Sequence, residues 1–395
     1  MRRIWQATLI VGLCLALTPR AAGEEVARQP YELVRALNAL QDESARGNAE
    51  ARARQRQLIS RLAQDLLSAD AEVWKDARNV KAAVVYALSG GEPRVLKSLF
   101  TLRQLPGVDE KLLNAALAYS EGRNADALEL LNQIDARALD PGLGARVALV
   151  HSGLVATKDP KSAIPLLESA RLLAPGTVVE DAALRRQVFV VAGLGDFDAF
   201  EMLASQYMRR FPNSIYANTF REQFASEVTG NRYGQDADRL HRLEAMLEGV
   251  DIANRRHCYL LIAQEAVAKG RVELARLAAR HAVRLTAGDS ANHTRSRVYE
   301  AAVLIVTEDY DSGVAALVTI DKAGLDARDA ELLDAAFAVA EEVRRPSGAY
   351  DAGAPLPEEV APGAKGDPAA PKSKSVELAQ KVVARVDAIL AGVRQ

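Results

Sequence analysis

The residue types best suited to hold a metal or move a proton are the five histidines, His151, His241, His257, His281 and His293, and none stands in a His-Glu-x-x-His pair or beside a Cys-x-x-Cys. A zinc centre draws three or four such ligands together, and this spacing offers none of its usual arrangements. His257 adjoins Cys258, a pairing that suggests a thiol nucleophile. Neighbours on a helix point about 100° apart, however, so the ring and the thiol would not face each other, and a buried structural cysteine is the expectation. Gly193-Leu194-Gly195 has no strand pattern before it and suits a hairpin turn better than a dinucleotide loop. There is no phosphate-binding Walker loop and no Gly-x-Ser-x-Gly elbow, and the carboxylates are scattered without the close pair a glycosidase would need. The sequence therefore predicts no catalytic, metal-ligating or cofactor-binding residue, and points to a protein that works by binding.

The elements that would do the binding follow from composition and spacing. Of the 395 residues 49% are hydrophobic but only 5% aromatic, a mixture rich in Ala, Leu and Val that suits closely packed helices rather than a β-sandwich. Tyr31, Val34, Leu37 and Leu40 form one helical stripe, ended by Gly47-Asn48. Leu58, Leu62 and Leu66 form the next, with Arg52, Arg54, Arg56 and Arg61 on what reads as a solvated face. Turn positions then recur near Gly90, Gly122, Lys158, Gly195, Arg232, Gly270 and Glu308, separated by 32, 36, 37, 37, 38 and 38 residues. A period of this length is the mark of a helix-hairpin solenoid, because a single hairpin cannot bury its apolar face alone.

A second register supports the first. Five residues after a turn stands a small side chain, at Ala127, Ala163, Ala237, Ala275 and Gly313, where the second helix must approach the first closely. Farther on come Pro106, Pro141, Pro175, Pro212, Gly249 and Gly288, which are expected to stop the second helix and release the chain into the next hairpin. These offsets resemble those of the tetratricopeptide repeat in a degenerate form. The Gly195 unit carries its alanine, Ala199, one residue early.

At the N-terminus, Arg2 and Arg3 precede an apolar run from Ala7 to Leu17, too short to span a membrane and suited to a signal peptide. Residues 1–23 are read as that signal, cut between Gly23 and Glu24, which predicts a periplasmic protein. Leu13 before Cys14 argues against a lipidation site. Cleavage would leave 47 basic against 52 acidic residues, a balance of −5 with no basic field for nucleic acid. Only Cys258 would remain, so no internal disulfide is expected.

The repeat domain is expected over residues 30–345, ending in a helix from Asp326 to Arg345 whose stripe is Leu332, Leu333, Ala336, Phe337, Ala340 and Val343. Residues 346–374 hold Pro346, Pro355, Pro357, Pro362, Pro368 and Pro371 among glycines and read as a flexible linker. Residues 375–394 read as an amphipathic helix capped by Ser375, with Val376, Ala379, Val382, Val383, Val386, Ile389, Leu390 and Val393 on one face. That helix either caps the array or engages a partner.

Two stretches go beyond the general repeat: residues 76–91 (DARNVKAAVVYALSGG) and 207–217 (YMRRFPNSIYA). Together with the export signal, the helical body and the proline-rich tail, they resemble the MotC family of periplasmic motility proteins of rhizobia and related alphaproteobacteria. The resemblance implies a role in flagellar rotation and, as partner, the periplasmic part of the stator subunit MotB. The competing expectation is a general periplasmic scaffold or adaptor for envelope or appendage assembly.

Overall fold

Among the described residues, brief turns between amphipathic segments fold a helix back on its predecessor seven times. The computed structural model describes residues 28–344, except 103–104, 231–232, 234–236 and 287; among these residues there are seventeen α-helices, three short 3-10 segments and no strand. The pairs are α1 (Pro30–Ala45) with α2 (Ala49–Leu67), α3 (Ala77–Leu88) with α4 (Pro93–Leu99), and α5 (Glu110–Ser120) with α6 (Asn124–Leu131). Next come α7 (Pro141–Val155) with α8 (Pro160–Leu173), and α9 (Val178–Leu194) with α10 (Phe197–Arg210). After them α11 (Ala217–Val228) packs on α13 (Ile252–Ala268) and α12 (Ala237–Glu248) on α10, and the pairs resume with α13 and α14 (Val272–Leu285), then α15 (Ser290–Leu304) and α16 (Tyr310–Val318). The last described helix, α17 (Ala327–Arg344), has no second member among the described residues. The all-α hairpin array expected from the turn spacing is thus the fold. The signal segment 1–23, the turn at Arg232, the linker 346–374 and the helix 375–394 lie outside the described residues.

Gly122 shows how a turn is made. Its φ of +77° lies in the left-handed region that side chains with a Cβ resist, and nothing stands within 4 Å of where a Cβ would sit. The Gly122 N–H donates to the Tyr119 carbonyl at 3.0 Å and the Arg123 N–H to the Ala118 carbonyl at 2.8 Å, closing α5 so that α6 starts immediately. The same pair of bonds recurs at Gly90, Gly195 and Gly270.

The position five residues on is buried as expected at Ala127, Ala163, Ala275 and Gly313. A Cβ on Gly313 would come within 2.8 Å of the Ile305 backbone nitrogen, so the two helices of that hairpin touch through it. In the Gly195 unit the place is taken by Phe200, whose ring stacks on Phe224 at 5.6 Å and meets Tyr233 edge-on at 5.7 Å. A cluster of rings fills the space that a close helix approach would otherwise remove.

The breakers act less uniformly than their spacing predicts. Pro175, Pro212 and Gly249 do follow the ends of α8, α10 and α12. Pro141, in contrast, opens α7, while α6 has already ended at Leu131 and a 3-10 turn over Ala136–Ala138 fills the gap. Asp135 accepts from the Arg137 N–H at 2.9 Å and nucleates that turn. A proline has no N–H to lose at the first position of a helix, so it serves as readily to start one. Pro106 likewise stands well beyond the end of α4 at Leu99. The stripe of α17 also needs correction: Leu333, Ala336 and Ala340 are buried, but Phe337 and Val343 are exposed.

The buried side chains fall into two clusters that meet within one helix. Val179 and Ala183 of α9 belong to the core built by α1 to α8, whereas Leu184, Val188, Val191 and Ala192 belong to the core that continues to α17. The first core also curls on itself. The Val178 N–H donates to Asp42 of α1 at 2.8 Å, and Arg146 of α7 donates to Asn38 of α1 at 2.6 Å. A Cβ on Gly47 would stand 2.6 Å from the Asn213 carbonyl oxygen, so the first hairpin rests against the loop that leaves the fifth. At the other end, the fully buried Asp329 fixes α17 by accepting from Arg295 at 2.5 Å, Tyr299 at 2.5 Å and Gln264 at 3.2 Å.

Candidate functional site

The side chains with chemical potential are dispersed. His151 bonds Asn132 at 2.9 Å, and burial lowers its pKa. His241 and His281 both approach Glu244, at 3.6 and 2.5 Å, and the His281 ring stacks on Tyr259. His293 lies 3.3 Å from Thr286. His257 is held below its ordinary range by burial and by Arg221, Arg295 and Arg256. The Cys258 thiol points at the Met208 sulfur at 3.7 Å, and burial pushes its pKa up to about 12, so it stays a neutral thiol. Among the described residues no three His, Cys, Asp or Glu side chains form a group that could hold a metal ion.

What the fold does gather is a cleft along the inner face of the curled first core, with a volume of about 530 Å³. It receives residues from all five first helices: Gln41 and Ser44, Leu88, Tyr119, Arg146 and Leu149, then Val179, Arg185 and Arg186. A second hollow of about 380 Å³, between α1, α3 and α7, shares Arg146 and Val179 with it, so Arg146 stands where the two meet. The two stretches singled out in the sequence converge here: Leu88, Ser89 and Gly90 come from residues 76–91, and Ile215 and Tyr216 from residues 207–217. The arginine cluster of α2, by comparison, is exposed on the outside, where Arg54 lies 3.7 Å from Glu43.

Three arginines and no carboxylate line the 530 Å³ cleft. Arg146 donates to Ser89 at 2.9 Å and to Asn38 at 2.6 Å, and its nearest acid, Asp42, acts on it through space. Burial lowers the Arg146 pKa and raises that of Asp42, the mark of charges drawn out of water. Arg185 stacks on the Tyr216 ring at 4.3 Å with Asp181 behind it, its Nε 3.6 Å from the carboxylate. Asp181 is anchored in turn by the Ser214 hydroxyl at 2.7 Å. Arg186 donates to the Leu149 carbonyl at 3.0 Å and crosses Gly153, where a Cβ would come within 2.9 Å of its guanidinium. It is open to the cleft on one side, yet the concave wall around it and the like charge of Arg185 hold its pKa below the ordinary range. Gln41 Oε1 is buried without a hydrogen-bond partner.

Sequence reasoning missed these arginines, although a signal was present. Arg146 is the single charged residue between Pro141 and Val150, and Arg185 and Arg186 interrupt an apolar helix. A cation in such a run either faces a cavity or meets a partner.

The profile of a known family, described as chemotaxis protein MotC, matches residues 1–395. The chain belongs to the MotC family. It is similar to the chemotaxis protein MotC of Rhizobium meliloti (strain 1021), with 33% identity over 357 residues, 89% of this chain and 80% of that relative. No solved structure matches. Membership of a chemotaxis protein family agrees with the motility role that the resemblance of residues 76–91 and 207–217 implied. Among the described residues no helix is long and apolar enough to cross a membrane.

Proposed function

We propose that the chain is a non-enzymatic periplasmic motility protein, exported by residues 1–23, that binds the periplasmic part of the stator subunit MotB and supports flagellar rotation. The match along the whole length to a chemotaxis family carries this reading. The inner cleft supports it, because a concave wall built from five successive first helices offers a long contact surface of the kind that repeat arrays use to hold a segment of another protein. Helix 375–394 is read as either the end cap of the array or a second contact with the partner.

The test joins a phenotype to a contact. Deleting the gene should give cells that carry flagella and do not swim, and periplasmic crosslinking of the tagged chain should recover MotB. Normal swimming would remove the motility role. Paralysis without any MotB crosslink would move the reading to a general periplasmic scaffold.

A further inference from the structure

We infer that the inner cleft takes an extended acidic peptide segment, with Arg146, Arg185 and Arg186 pairing its carboxylates. This deepens the proposed binding role and rests on it. The whole chain is slightly acidic, at −2, yet the wall of this cleft carries three cations and no anion. Asp181, the acid beside Arg185, lies outside the cleft lining and is tied to the Ser214 hydroxyl, and Asp42, which faces the neighbouring hollow, is tied to the Val178 N–H. Guanidinium groups prefer carboxylates because two parallel N–H donors fit two oxygens. Arg186 in particular has only a neutral partner, the Leu149 carbonyl.

The rest of the lining favours a peptide over a single small anion. Leu88, Leu149, Val179 and Ile215 share the wall with Ser89, Asn124 and Gln55, a mixture that suits side chains and backbone together. The cleft runs on past Arg146 into the neighbouring hollow, which gives it length and where Arg35, Arg78 and Lys81 outnumber Asp42 and Asp140. Recognition of acidic segments by arginine clusters is an established mode of peptide binding.

The experiment is fluorescence anisotropy on the full chain, with a labelled eight-residue peptide alternating Glu and Leu, a matched peptide alternating Gln and Leu, and citrate as competitor. The Glu peptide should bind and weaken at high salt, and the Gln peptide should bind about tenfold more weakly or worse. Arg186→Gln should weaken the Glu peptide by about tenfold while Arg186→Lys retains part of the affinity, with thermal unfolding unchanged in both. Equal binding of the two peptides, or indifference to Arg186→Gln, overturns the assignment. Citrate that binds as tightly as the Glu peptide overturns it in favour of a small-anion site. MotB crosslinking retained by the Arg186→Gln chain alongside a failed peptide assay would discard the acidic-peptide assignment and leave the proposed function intact.

Discussion

Replacing Gly47 with Ala tests whether the first hairpin truly seats against the loop after the fifth. The residue has φ +94°, and a Cβ would stand 2.6 Å from the Asn213 carbonyl oxygen and 2.7 Å from its Cβ. Two penalties then add. Holding an alanine in the left-handed region costs about 1–2 kcal/mol, partly offset by about 0.4–1 kcal/mol because the unfolded chain loses freedom. Forcing a methyl into a backbone contact adds about 1–3 kcal/mol, since the Asn213 carbonyl is not the end of a flexible side chain. Gly122→Ala is the matched control, because its φ of +77° is similar and nothing lies within 4 Å of the new atom. Urea denaturation of both variants should give about 1 kcal/mol for Gly122→Ala and about 2–4 kcal/mol for Gly47→Ala. Hydrogen exchange at Val178, whose N–H is bonded to Asp42, should quicken only in the second. Equal costs and unchanged exchange would mean that the array does not close on itself.

Ala127→Leu places a larger side chain at a position with 0% exposure and should cost about 1–3 kcal/mol by chemical denaturation, whereas no change would undo the repeat register. Asp329→Ala leaves Arg295, Tyr299 and Gln264 without their shared acceptor and should cost about 3–5 kcal/mol, read as early loss of exchange protection in α17. Burial raises the Asp181 pKa above its unfolded 3.8, so the folded state takes up that proton first on acidification. The stability of the wild type relative to Asp181→Asn should therefore rise as the pH falls towards the ordinary carboxylate range, and a flat or opposite trend would refute the shift. Cys258, a neutral buried thiol, should resist iodoacetamide at pH 8 until the chain unfolds, as mass spectrometry of the alkylated protein can verify.

Much of the fold was legible because its rules are local. A left-handed glycine two bonds past a helix end and a small residue five places on concern neighbours in the chain, and Gly122 with Ala127 declares both in one short stretch. The end of α6 was harder to read, because Leu131 gives way to a 3-10 turn stabilised by Asp135, and Pro141 is equally at home before or after a boundary. The curl was not legible at all. Asp42 meets Val178 across 136 positions and Gly47 meets Asn213 across more, and a repeat period fixes each step without fixing where successive steps bring distant hairpins. The cleft shares that origin: its arginines sit on α7 and α9, and only the curl turns them towards Leu88, Ser89 and Tyr216. The two stretches quoted for the family resemblance held part of the answer, since each supplies one wall.

Because α9 contributes Val179 and Ala183 to one core and Leu184 to Ala192 to the other, neither half of the array can melt without stripping one side of a helix the other half depends on. In a linear repeat protein each unit answers only to its immediate neighbours. Here one helix acts as a common keel, so the free energy of opening either end includes the loss of support at the other. A segment seated against Arg185 and Arg186 would tighten that helix, and its grip would be felt as slower opening of hairpins that it never touches.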